Sequence, residues 1–180
     1  QKQRSHDTIE EDYGLGLNSH DWYPPFWSQG PFMLLFKHAP AHALDLIVRL
    51  VNFATDGHLL RRYDRKVEGT SFVIMTQAGT TLWKGDANVY TWSYSNGHNF
   101  VISAIMALEK WLLHEVQQKH PITSSVHYLY QHGTSIAFAG LLISVGKAHP
   151  NLFLDDLRPL LSVEKFYECD EPGDVRTFLA

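Results

Sequence analysis

The sequence predicts a mainly α-helical fold of stacked helical hairpins, α-solenoid-like, with a small antiparallel β insertion around residues 70–94. Two observations carry this expectation. Three helix-like runs close on the same punctuation: Lys37-His38-Ala39-Pro40, Lys119-His120-Pro121 and Lys147-Ala148-His149-Pro150. Lys and His suit the negative end of a helix dipole, and Pro suits the first turn of the next helix, where its missing N–H costs nothing. Between the first and second marks, a stretch rich in β-branched and aromatic residues breaks the helical period.

Residues 1–21 read as a polar linker or loop holding Asp7, Glu10, Glu11 and Asp12, and residues 22–180 as the helical domain. The aromatics of Trp22-Tyr23-Pro24-Pro25-Phe26-Trp27 are too dense for a solvated linker, so this segment is expected to lie as an extended lid on the first helices. Gly30-Pro31 opens a short helix, Phe32 to Lys37. A longer one follows from Pro40 to Asp64, with Leu44, Ile47, Val48, Val51 and Ala54 as its apolar stripe.

The insertion, residues 70–97, starts with Thr70 to Thr76, a strand by composition. Ala78-Gly79 makes a turn, Thr80 to Trp83 a second strand, and Asn88 to Tyr94 a third strand or extended segment. A lone hairpin is marginal in water, so the unit must lean on the helices or on another part of a parent protein.

Helical spacing resumes from Asn99 to Lys119. Val101, Ile105, Leu108, Leu112 and Val116 lie on one side; Glu109, Lys110 and Glu115 are assigned to the wetter side. Another helix is expected from Pro121 to Tyr130. Ile136 to Gly146 is apolar almost all round, the pattern of a helix buried on most sides. Its small residues would let neighbouring backbones approach closely. Leu152 to Leu161 reads as a last helix interrupted at Pro159. Pro121 and Pro150 are 29 residues apart, about one helical-hairpin repeat, although Pro at helix starts accounts for the same marks. The start at Gln1 and the amphipathic run ending at Ala180 suggest a segment of a longer chain.

Composition narrows the function classes. Apolar residues make up 44% of the 180 and charged residues 19%, ordinary for a globular domain. A formal net charge of −4 argues against a broad nucleic-acid or anionic-membrane footprint, leaving a local basic cluster at Arg61, Arg62, Arg65 and Lys66. The single cysteine, Cys169, excludes an internal disulfide framework and fits a reducing cytoplasm. No apolar run approaches the ~20 residues that span a bilayer.

Eleven histidines invite a metal hypothesis. His38 and His42 have i,i+4 spacing, but Pro40 lies between them. His114 and His120 are six apart and His127 and His132 five apart, poor fits to one helix face. No metal or other cofactor is inferred. Gly133-Thr134-Ser135-Ile136-Ala137 is one residue from a G-x-S-x-G nucleophile elbow, which would make Ser135 a serine-hydrolase nucleophile with His132 or His149 as base. Thr134 or Ser135 as the N-cap of the following helix explains the same letters. Gly14-Leu15-Gly16 lacks a third glycine and a preceding strand, so it is no dinucleotide fingerprint.

The aromatic insertion differs in kind. Trp83, Tyr90, Trp92 and Tyr94, interleaved with Lys84, Asp86 and Asn88, are residue types favoured on partner-recognition surfaces. Packing onto the helices is the competing expectation, and both can hold for different faces of the strands. The candidate partner-binding set is Trp83, Lys84, Asp86, Tyr90, Trp92 and Tyr94. The expected partner is another protein or other domains of the same parent chain; no small-molecule substrate is inferred.

Tyr23-Pro24-Pro25, Gly30-Pro31-Phe32, Leu44 to Asn52, Trp83-Lys84-Gly85-Asp86, Val89-Tyr90-Thr91-Trp92 and Met106 to Leu112 occur in an order that resembles a helical region of very large bacterial ATP-binding proteins, of the signal-transducing NTPase type used in phage defence. The similarity spans about residues 20–165. It implies that nucleotide binding lies elsewhere in the parent chain, leaving this segment as a scaffold or sensor surface. These motifs contain no catalytic residue to carry over.

Overall fold

The computed structural model describes residues 23–63, 70–94, 97–164 and 166. The linker expected at 1–21, the basic side chains of Arg61, Arg62, Arg65 and Lys66, Cys169 and the final amphipathic run lie outside the described residues and side chains. The chain order is α1 (Phe32–His38), α2 (Pro40–Tyr63), β1 (Thr70–Thr76), β2 (Gly79–Gly85), α3 (Ala87–Tyr90), a 3₁₀ turn (Thr91–Ser93), α4 (Asn99–Gln117), α5 (Thr123–His132), α6 (Ala137–Ala148) and two 3₁₀ segments (Pro150–Leu154 and Arg158–Ser162). The described chain is mostly helical with one two-stranded antiparallel sheet.

All three Lys/His–Pro marks fall at helix ends. The Ala39 N–H bonds the Leu35 carbonyl at 2.7 Å, and Pro40 is the first residue of α2. The His149 N–H bonds the Val145 carbonyl at 3.0 Å, and Pro150 opens the first 3₁₀ segment. At the end of α4, the Lys119 N–H bonds the Val116 carbonyl and the His120 N–H reaches back to the Glu115 carbonyl. This is the paired closure of a Schellman motif, and it puts Lys119 at φ +60°, a conformation usually given to glycine.

Helix α4 is the central element, packed against α1, α2, α6 and the 3₁₀ turn. Val101, Ala104, Ile105, Leu108 and Leu112 are sealed, as their spacing predicts. Phe36 of α1 stacks on Trp111 with ring centroids 4.5 Å apart. Glu109 departs from its assignment to the wetter side: α6 covers that face, and Ser144 donates to the buried carboxyl. Burial raises the Glu109 pKa, with the Ser144 hydrogen bond opposing. The small residues of α6 serve the close approach expected of them. A Cβ on Gly140 would collide with the Tyr90 carbonyl oxygen, so only glycine lets α6 lie this close to α3.

The hairpin pairs Phe72 with Trp83, Val73 with Leu82 and Met75 with Thr80. The turn is Gln77 and Ala78, one residue earlier than expected, and Gly79, at φ +134°, opens β2. Beyond β2 the expected third strand is instead helical. Asp86 Oδ1 accepts the Val89 N–H at 2.9 Å, an N-cap that starts α3, and the chain continues into the 3₁₀ turn against α6. The last expected helix is likewise replaced by two 3₁₀ segments. They part at Asp155, whose φ of −124° and ψ of −101° are non-helical, and Pro159 lies in the second.

Candidate functional site: the hairpin and its junction with the helices

A strand exposes alternate residues, so each face of the hairpin must be followed separately. Phe72, Ile74 and Trp83 point inward and are buried. Trp83 stacks on Tyr130 of α5 at 5.7 Å and meets the ring of Phe138 of α6 at 6.2 Å, edge-on. Trp92 is buried with its ring against the edge of His58 at 5.6 Å, and buried Tyr90 stacks near Phe166 at 6.0 Å. The contact role expected of Trp83, Tyr90 and Trp92 is therefore corrected. The inward pleat and the α3–3₁₀ turn take these three side chains into the core, where they fasten the insertion to α5, α6 and α2.

The other three candidates sit at the junction. Lys84 Nζ lies 2.5 Å from Asp56 Oδ1 of α2, both side chains partly exposed. Asp86, besides capping α3, holds His58 Nε2 at 3.1 Å through its other oxygen, Oδ2. Tyr94 is half-buried at the end of the 3₁₀ turn. Together Lys84 and Asp86 tie the end of β2 to the last turns of α2.

On the outward face stand three apolar side chains that the aromatic pattern passes over. Val73 is 55% exposed, Met75 64% and Leu82 55%. Val73 and Leu82 are direct cross-strand partners, and Met75 follows on the same face, so the three form one patch. The signal was present: Phe72-Val73-Ile74-Met75 is apolar at both parities, which leaves one apolar face outside whichever way the strand turns.

Ser135 lies between two helices, α5 ending at His132 and α6 beginning at Ala137. The strand–turn–helix geometry of a nucleophile elbow is therefore not formed. The segment is extended only long enough to make one parallel bridge to β2: the Lys84 N–H bonds the Thr134 carbonyl at 2.8 Å, and the Ile136 N–H bonds the Lys84 carbonyl at 3.1 Å. Ser135 is fully buried, 2.7 Å from the Thr55 hydroxyl, and accepts the Ala137 N–H at 3.2 Å. No described imidazole is hydrogen-bonded to it.

Among the described residues no three His, Cys, Asp or Glu side chains come close enough to hold a metal ion. No described helix is long and apolar enough to cross a membrane. No protein-family model matches the chain, and no curated protein matches it significantly.

Proposed function

We propose that this chain is a non-catalytic scaffold and partner-recognition segment of a larger, nucleotide-dependent bacterial protein that works in the cytoplasm. The observation that supports the reading is the two-faced hairpin. Its inner face is fixed to the helices by Trp83, while Val73, Met75 and Leu82 stand out on the opposite side. An apolar patch on a rigid, core-anchored element suits recognition of another protein or of a neighbouring domain. Side chains that could do chemistry, in contrast, are engaged internally: Ser135 with Thr55, Asp86 with His58, Glu109 with Ser144. Stacking of helical hairpins into a longer array belongs to the same proposal.

A photoreactive residue at Met75, in chain expressed from its own gene, should yield a covalent adduct with another polypeptide or domain. The same residue at exposed Leu154 should not. Equal adducts at both positions would reduce the patch to general stickiness. A fluorophosphonate probe should leave Ser135 unlabelled; labelling lost in S135A would overturn the non-catalytic reading.

A further inference from the structure

Helix α2 carries apolar side chains on two opposite faces. Ala43, Ile47, Val51 and Ala54 face the core. On the other side Leu46 is 39% exposed, Phe53 56% and Leu60 72%. These three are spaced by seven residues, so they form one stripe with a drift of only ~20° per step. At the same spacing, four residues before each of them, lie His42, Arg49 and Asp56. An apolar stripe that recurs every seven residues on an exposed helix face is the pattern of a helix–helix seam.

The stripe is symmetric about Phe53. Leu46 is seven residues before it and Leu60 seven after. Arg49 is four before it, and Asp56 and Gly57 are three and four after. We propose that two copies of this chain associate through α2, antiparallel about a two-fold axis at Phe53. In that register Phe53 meets Phe53, and each Leu46 meets the Leu60 of the other copy. Each Arg49 falls opposite Gly57, whose missing side chain leaves room for the guanidinium beside Asp56; that carboxylate, 48% exposed and already paired with Lys84 of its own chain, would take the guanidinium as a second partner. A two-fold contact must be self-complementary, and this stripe is. A parallel pairing would set Arg49 against Arg49 and Asp56 against Asp56, a like-charge arrangement that selects against it. Arg49 now pairs with Asp45 at 2.8 Å within its own helix, and its side chain is 72% exposed, so it remains free to reach a second carboxylate. The contact is made by α2 alone and does not rest on the hairpin patch, although Lys84, two residues from Leu82, reaches Asp56 beside it.

Sedimentation equilibrium of the 180-residue chain should show a concentration-dependent dimer. F53E, at an exposed position, should abolish it with an unchanged circular-dichroism spectrum, while L154E should leave it intact. R49E should weaken the dimer roughly tenfold at low salt and by much less at high salt, as expected where the new carboxylate meets Asp56 of the other copy. In a C169S background, mixing L46C with L60C chains should give a mixed disulfide on oxidation, with little L46C–L46C product. A chain monomeric at every concentration, a dimer indifferent to F53E, or preferential L46C–L46C cross-linking would each overturn the proposal.

Discussion

The side-chain oxygens of Thr55 and Ser135 lie 2.7 Å apart, and neither residue reaches solvent. Thr55 is also 2.8 Å from the Val51 carbonyl, and Ser135 takes the Ala137 N–H. Two hydroxyl protons and two backbone groups thus close a small buried network. It joins the middle of α2 to the segment that bridges β2 and opens α6. The Ser135 hydroxyl fastens these elements together.

Removing that hydroxyl should cost stability. S135A leaves the Ala137 N–H without its acceptor and Thr55 without its buried neighbour, an expected loss of about 1–2 kcal/mol in urea denaturation. Unchanged stability would show that the network holds nothing.

The inward face of the hairpin carries far more. W83A removes a fully buried ring wedged against Tyr130 and Phe138, and the expected loss is about 3–5 kcal/mol. A loss below 1 kcal/mol would mean that Trp83 is not in the core.

Most element positions are legible in the sequence because local chemistry sets them. Pro40 starts α2, Thr70 to Thr76 has strand composition and is a strand, and the buried α6 follows from an apolar run with few polar breaks. What local chemistry cannot decide is which way a strand faces. Phe72 and Ile74 alternate with Val73 and Met75, so the pleat alone assigns neither pair to the core; contact of Trp83 with α5 and α6 does. Asn88 to Tyr94 has strand composition, yet the Asp86 carboxylate caps Val89 and turns it helical. Of the six candidate contact residues, the aromatic anchors were legible as important, but their direction was not. Glu109 carries the same lesson on a helix: grouped with Lys110 and Glu115 it reads as solvated, and only the packing of α6 covers it.

The end of α4 is improvable. Lys119 holds a left-handed conformation that glycine adopts without steric cost. K119G should stabilise the chain by about 1 kcal/mol, seen as a higher urea midpoint at constant slope. A lower midpoint would mean that the Lys side chain contributes more than its backbone costs.

Glu109 should make stability depend on pH. Below the ordinary carboxylate value of 4.5 the group is protonated in both states, and burial of the neutral acid carries no charge penalty. As pH rises, the unfolded chain ionises first while the folded chain keeps its proton, so stability falls until the raised folded value is passed. E109Q stays neutral throughout and can still accept from Ser144. Its stability advantage over the native chain should therefore grow from pH 4 to pH 8. A constant difference across that range would remove the buried-carboxyl explanation.

If the hairpin's inner face holds the fold while its outer face recognises a partner, M75S/L82S separates the two roles, with a photoreactive residue at Val73 reporting contact and urea denaturation reporting stability. Stability should stay within about 1 kcal/mol, as for surface positions, while the cross-link at Val73 disappears. A fall of several kcal/mol would place the outer side chains in the core, and a cross-link that persists in the folded variant would mean that the patch does not make the contact.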